Sequence, residues 1–281
     1  MDTVLRLLFF EVLGLGVIAT AVKGFYLHDR WLKSRHDAED RLLRSPGESL
    51  RRENQNLNEW LMGLLGGIAF TPAILLGQMP KTIGGGSIAV MMLATLAWAV
   101  PLVYLLRRRR NLELALRAQR AVAEELNRLM LQGFQVFHDF PAGPAWNIHH
   151  IVVGPTGVYA IETRTTRKPA LGKERVLEVS FDGTKVKFSR ACDAAGFDQA
   201  RRKSSDLARE LASVADGSVE VKPILTFPGW AISRKGQGDV NVLNPQEIRQ
   251  AVFSEEKPRL SQEQIQRIAR HIEQKCRDVE L

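Results

Sequence analysis

Two long uncharged apolar runs lie in the first part of the chain and restrict what it can fold into. They cover residues 60–77 and 82–106, at 18 and 25 residues, and contain no Asp, Glu, Lys or Arg. Each run is long enough to cross a hydrocarbon layer about 30 Å thick as a helix. Only residues 78–81 separate the two runs, and four arginines, 107–110, follow the second. The sequence therefore predicts a transmembrane helical hairpin over residues 60–106.

A weaker apolar stretch covers residues 7–22, where Glu11 interrupts the run. A charge at the centre of a bilayer costs roughly 2.5 to 3.5 kcal/mol, whereas a charge near a helix end can reach the interface. Residues 1–27 are therefore predicted to form either a third transmembrane helix or an interfacial helix. A cleaved signal peptide is the remaining alternative, because Ala19-Thr20-Ala21 is similar to a cleavage site. Glu11 within the apolar core disfavours that alternative.

Most of the net charge of +8 belongs to this first part, since residues 1–110 carry +5 and the remaining 171 residues carry +3. Lys and Arg are frequent in the predicted loop 28–59 and again at 107–110, whereas the hairpin tip holds only Lys81. Because an excess of Lys and Arg marks cytoplasmic loops, both basic regions are predicted to face the cytoplasm. The chain is thus expected to be a multi-pass protein of the inner (cytoplasmic) membrane, with the lipid bilayer as a partner and residues 107–281 as a cytoplasmic domain. Two cysteines without a CxxC motif fit that reducing compartment.

Residues 107–281 follow an alternating α/β pattern. Helical periodicity covers residues 114–133, and two strands are predicted on either side of a turn at Gly154–Gly157. A second hairpin turns at Asp182-Gly183, and Asn244 and Ser261 are predicted to cap the last two helices. The expected fold class is α/β, a mixed sheet flanked by helices, preceded by transmembrane α-helices.

The segment Asn147–Arg164, NIHHIVVGPTGVYAIETR, resembles the core of the nuclease-related domain family (NERD). That core reads I-D-H-x-V-V-G-P-x-G-V-x-x-I-E-x-K. Residues 197–200 (FDQA) and 227–230 (FPGW) are also similar to this family, and the resemblance extends over residues 114–252. It implies a restriction-endonuclease-like fold of the PD-(D/E)xK type, whose active members cut nucleic acid with a divalent metal ion.

The chain departs from that family pattern at the positions that carry charge. His149 replaces the aspartate, Arg164 the lysine and Gln119 the helical glutamate, so Glu162 alone remains of the acidic set. Neutral imidazole suits transition metals rather than magnesium, and arginine stays protonated and cannot act as a base. The resemblance also implies that Gln199 lies near the phosphate of a bound nucleic acid.

The turn sets the register of the hairpin around it. If Val153 pairs with Val158, the numbers of paired residues sum to 311, and position 149 lies opposite Glu162 with Cβ atoms about 4.5 to 5.5 Å apart. We hypothesise a degenerate nuclease module in which His149 and Glu162 form a hydrogen-bonded or ionic pair and no metal is expected. The competing hypothesis is an active nuclease with altered metal preference, its metal held by His149 and Glu162. The cofactor of a conventional active enzyme would be Mg²⁺ or Mn²⁺.

Two basic clusters are candidate nucleic-acid contacts, with a solvated surface as the equally weighted alternative for both. The resemblance places both near the substrate groove. The predicted function is to bind DNA, RNA or a DNA-processing protein at the membrane, and a scaffold that binds only protein is the third hypothesis. The clusters consist of Arg164, Arg167 and Lys168, and of Arg201, Arg202 and Lys203.

Overall fold

The protein is described by a computed structural model in which residues 42–78, 85–143, 146–165, 178–187, 192–193, 195–254 and 259–279 are placed. The chain forms two compact units. In the described part of the chain, residues 51–78 and 85–113 belong to the first unit, whereas residues 42–50 and the described residues from 114 onward belong to the second. The N-terminal helix predicted over residues 1–27 lies outside the described residues.

Two long helices, α1 and α2, account for the described part of the first unit. Helix α1 spans Glu48–Gln78 and helix α2 spans Gly85–Met130, with Pro101 inside it. The predicted loop 28–59 is therefore helical from Glu48 onward, and the arginines at 107–110 lie within a continuous helix. The two helices pack closely at Gly67, where an added Cβ would lie 2.6 Å from the Trp98 ring.

The membrane-spanning part of the prediction for residues 60–106 is not supported. Among the residues that the structure places, no helix combines the length and the apolar character needed to cross a bilayer.

The second unit is built on a five-stranded mixed sheet. Its strands are β2 (Gln135–Gly143), β3 (Trp146–Gly154), β4 (Gly157–Thr163), β8 (Val221–Thr226) and β10 (Asn241–Leu243). They lie in the order β10-β8-β4-β3-β2. Strand β3 is antiparallel to both β2 and β4, whereas β4, β8 and β10 run parallel to one another. The mixed α/β fold predicted from the sequence is thus confirmed.

Helices cover both faces of this sheet, as the burial of every residue of β4 requires. Val158 and Ala160 pack with α3 (Ala195–Ala212) and α5 (Gln262–Cys276), whereas Tyr159 and Ile161 pack with α2 and α4 (Pro245–Phe253). Because successive strand residues point to opposite faces, even-numbered residues of β4 face α3. Glu162 is the next even-numbered residue, and this phase directs it towards α3.

Smaller sheets complete the second unit. One has the order β7-β6-β5-β9, and the other pairs β1 with β11. Ser261 caps α5 and accepts a hydrogen bond from the Gln264 N–H at 3.2 Å, and Asn244 is the N-cap of α4, so both predicted caps are confirmed. The strands are β1 (Leu42–Leu43), β5 (Glu178–Phe181), β6 (Val186–Lys187), β7 (Cys192–Asp193), β9 (Ala231–Arg234) and β11 (Arg277–Val279).

Candidate functional site

The hairpin register brings His149 and Glu162 together. Val153 pairs with Val158 and His150 pairs with Ile161, which confirms the predicted sum of 311. One step further along the two strands, the His149 backbone N–H donates to Glu162 Oε1 at 3.3 Å. The Glu162 side chain is almost fully buried, so its carboxylate needs compensating partners.

The partner that compensates this charge is Lys203, which helix α3 places against β4. Lys203 Nζ lies 2.8 Å from Glu162 Oε2, and the two side chains are 5% and 2% exposed. The same ammonium group donates to the backbone carbonyl of Asn147. Lys203 was predicted to belong to a phosphate-contacting surface cluster. Its position in the interior instead makes it half of a buried, charge-assisted pair.

His149 does not form the predicted ring-to-carboxylate bond with Glu162. His149 Nδ1 lies 3.5 Å from Glu162 Oε2, but the same nitrogen accepts a hydrogen bond from the Thr163 backbone N–H at 2.9 Å. A nitrogen that accepts this bond has no proton to donate to the carboxylate. Burial is the main cause that lowers the pKa of His149, so the ring is neutral near pH 7 and its proton is assigned to Nε2.

Arg164 and Gln199 are also brought together, beside this group. Arg164 Nη2 donates to Gln199 Oε1, and the Arg164 backbone N–H donates to the Thr226 carbonyl at 2.9 Å. Arg164 Nε is buried and has no hydrogen-bond partner within the described part of the chain. The sequence thus identified four side chains that the structure collects at one end of β4.

The other predicted site residues that the structure describes make different contacts. Gln119 is buried in α2, where a Cβ added at Gly47 would lie 3.1 Å from its Oε1. No hydrogen bond joins Gln119 to Glu162 among the described residues. Arg201 is committed to Asp239 at 2.9 Å and to Asp198 at 3.3 Å, and Arg202 is exposed. Arg167 and Lys168 lie outside the described residues.

Sequence reasoning missed a second buried acid, Asp139, in the strand next to His149. Its carboxylate accepts the N–H and the hydroxyl of Ser49, both at 2.7 Å, and the side-chain amide of Asn147 at 3.2 Å. Its φ of 53° is unusual for a residue other than glycine. Asn147 therefore links the two buried acids. Its side-chain amide donates to Asp139, and its backbone carbonyl accepts from Lys203, which in turn pairs with Glu162. The sequence did contain a signal for this residue, because Asp139 is an acidic residue within the largely apolar run FQVFHDF, residues 134–140.

His138 and His150 form a second buried polar pair, across β2 and β3. Their Nδ1 atoms lie 2.9 Å apart, so one ring donates and the other accepts. Burial lowers the pKa of His138 to about 4 and that of His150 well below its ordinary value. Both rings are therefore neutral at pH 7, and the sequence-based assignment of His150 to a packed, hydrogen-bonded core role is confirmed.

The donor set does not fit the divalent metal that the resemblance to active nucleases implies. One oxygen of Glu162 faces an ammonium group, and His149 Nδ1 already accepts a backbone N–H. Magnesium requires several oxygen ligands. Asp139 already accepts three hydrogen bonds and lies 3.6 Å from the Arg44 guanidinium. Within the placed residues, no group of three or more His, Cys, Asp or Glu side chains is arranged to hold a metal ion.

The fold is a mixed α/β domain with a five-stranded sheet flanked by helices, and it collects His149, Glu162, Arg164, Gln199 and Lys203 at one end of β4. Residues 115–228 match the family model of NERD, the nuclease-related domain. The match includes all the residues of the Glu162 site, supports the family inferred from the sequence, and indicates a nuclease-like or nucleic-acid-related function. No curated protein and no solved structure matches the chain.

The buried pair predicts a specific pattern of stability. Lys203→Met leaves the Glu162 charge uncompensated and is expected to lower the free energy of unfolding by about 3 to 5 kcal/mol. The double variant Glu162→Leu with Lys203→Met should recover much of that loss, because no charge then remains buried. Urea unfolding of the full-length chain measures both, with Arg202→Met as an exposed control. A Lys203→Met chain as stable as the control would contradict the pair.

The histidine pair predicts acid sensitivity. Because the folded-state pKa values of His138 and His150 lie below that of an unfolded histidine, the unfolded chain binds protons first as pH falls. The free energy of unfolding should therefore have its full value above about pH 6.5 and decrease as the pH falls towards 4. Each histidine contributes a decrease of up to about 1.4 kcal/mol per pH unit. Unfolding midpoints measured across this range should fall less steeply for His138→Gln. An identical slope in that variant would show that the pair is not the cause.

Proposed function

We propose that the second unit is a nucleic-acid-binding module that has the nuclease-like fold but does not cleave, and that the first unit attaches it to a lipid bilayer. The observation that carries the proposal is the buried pair between Lys203 and Glu162. An ammonium group lies against the one acidic side chain that the family pattern retains here.

The charges at the site argue against metal-dependent hydrolysis. A divalent cation at Glu162 would have to displace Lys203 Nζ from the carboxylate and from the Asn147 carbonyl. Displacing it would leave the ammonium without its partners in a buried position, which is strongly unfavourable. Arg164 cannot replace the missing lysine as a base, because its guanidinium remains protonated.

The same residues favour binding of a polyanion. Arg164 is held at the end of β4 by Gln199, and Arg202 is exposed on α3. Arginine is well suited to phosphate because its planar fork donates two parallel hydrogen bonds. Together with the match of residues 115–228 to a nuclease-related domain, this chemistry supports a nucleic acid as the bound polymer.

The proposed attachment to a bilayer rests on the surface of α1 and α2. Large apolar side chains that soluble proteins seldom expose together are between 62 and 74% exposed there. The arginines at 107–110 follow this apolar part of α2 and would contact anionic headgroups. The exposed set includes Trp60, Met62, Phe70, Val100 and Tyr104.

Cleavage and binding assays on the full-length chain test the nuclease-like module. Incubated with single- and double-stranded DNA and with RNA in Mg²⁺ or Mn²⁺, the chain should give no cleavage products. It should retard the same nucleic acids at low salt, and retardation should weaken as salt rises because phosphate contacts release counterions. Metal-dependent cleavage that disappears in Glu162→Gln would contradict the loss of catalysis. Absence of retardation at low salt would contradict nucleic-acid binding.

Vesicle flotation tests the attachment to lipid. The full-length chain should float with vesicles that contain phosphatidylglycerol, and less with neutral phosphatidylcholine vesicles. The double variant Arg107→Gln, Arg110→Gln should reduce the difference, since each basic residue near an anionic surface contributes about 1 kcal/mol. Arg270→Gln, an exposed residue of α5, is the matched control. A chain that remains at the bottom of the gradient with both vesicle types would refute the attachment. That result is also expected if the apolar surface of α1 and α2 pairs two copies of the chain instead of binding lipid.

A further inference from the structure

The end of β4 presents an unusual set of hydrogen-bond donors. His149 Nδ1 accepts the Thr163 N–H, so the proton of the neutral ring is on Nε2. A guanidinium can only donate hydrogen bonds, so Gln199 directs its side-chain carbonyl oxygen at Arg164. The amide NH₂ of Gln199 therefore points away from Arg164 and can donate to a ligand. Arg164 adds a buried Nε–H without a partner among the placed residues. Each of these three side chains thus offers a donor.

These three side chains are close neighbours. The His149 ring is hydrogen-bonded to the backbone of Thr163, the residue directly before Arg164. The positive charge of Arg164 also contributes to lowering the pKa of His149. Arg164 in turn contacts Gln199 on α3. All three side chains are partly exposed, so a ligand can reach this group from solvent even though the Arg164 Nε atom itself is buried.

The local charge balance leaves Arg164 as the uncompensated group. The negative charge of Glu162 is matched by Lys203 at 2.8 Å. No carboxylate contacts the Arg164 guanidinium among the described residues, where its side-chain bond is to the neutral amide of Gln199. A guanidinium that is bound to a neutral amide, and whose Nε–H has no partner among the placed residues, favours an acceptor that carries negative charge.

We propose that this place, which holds a metal cation in active nucleases of the fold, is inverted here into a site for a phosphate-type oxyanion. His149 Nε2–H, the Arg164 guanidinium and the Gln199 amide bind the oxyanion directly, without a metal ion. The inference rests on the proposed function and deepens it, because it names the group of the nucleic acid that is recognised. The oxyanion is either an internal phosphodiester or a terminal phosphate.

Titrations in EDTA test this site on the full-length chain. Inorganic phosphate is the first probe, followed by oligonucleotides with and without a 5′-phosphate. We expect phosphate to bind without metal and to compete with the oligonucleotide. Tighter binding of the 5′-phosphorylated oligonucleotide would identify a terminal phosphate, and equal binding would identify a phosphodiester; either result supports the site. Failure of phosphate both to bind and to compete would overturn it.

Variants separate this site from general attraction to positive charge. Arg164→Gln should weaken phosphate binding by about tenfold or more, since bonds between charged groups are lost. Arg164→Lys keeps the charge but lacks the fork of donors, and it should recover only a small part of the affinity. Arg270→Gln removes an exposed charge elsewhere and should change affinity less than twofold. Equal weakening in Arg164→Gln and Arg270→Gln would overturn the proposal.

A direct signal from the histidine completes the test. Nitrogen-15 NMR of the His149 ring should report a protonated Nε2 whose resonance shifts when phosphate is added. An Nε2 without a proton, or a resonance that phosphate leaves unchanged, would overturn the assigned role. If nucleic acid binds but phosphate and Arg164→Gln have no effect, this inference fails and the proposed function stands. If phosphate binds but nucleic acid does not, the proposed function fails.

Discussion

The buried contact between Lys203 and Glu162 is the interaction on which the rest of the site depends. A lone carboxylate at the position of Glu162 would be expensive to bury, and a lone ammonium would be equally so. Helix α3 provides the counter-charge from the even-residue face of β4. Once the two charges neutralise each other, Arg164 is left without a counter-charge among the described residues. The chemistry of the site then changes from holding a cation to attracting an anion.

This pair belongs to a longer buried polar chain. Asp139 binds Ser49 at the start of α1 and also binds Asn147, whose carbonyl accepts a bond from Lys203. Each member satisfies a donor or acceptor that would otherwise be buried without a partner. The chain of contacts holds Lys203 in one position, and an ammonium fixed in this way is a better replacement for a metal ion than a mobile surface lysine would be.

The part of the site that the sequence predicted correctly depends on local rules. The turn at Gly154–Gly157 fixes which residues face each other, so the position of His149 beside Glu162 followed from counting. Lys203 lies 41 residues after Glu162 and reaches it through the rotation of α3 over the sheet, which local pattern does not specify. Three consecutive basic residues on a helix usually lie on a solvated face. For this reason the sequence did not predict that Lys203, one of the three, is buried. Asp139 was missed because its left-handed backbone conformation interrupts the regular alternation of β2.

A single crystallographic measurement tests the central claim that an ammonium group replaces the metal. Crystals of the full-length chain soaked in Mn²⁺ can be examined for anomalous scattering near Glu162. We predict no manganese peak there, with Lys203 Nζ within hydrogen-bonding distance of the carboxylate. A manganese ion bound between His149 and Glu162, with the Lys203 side chain displaced, would contradict the claim.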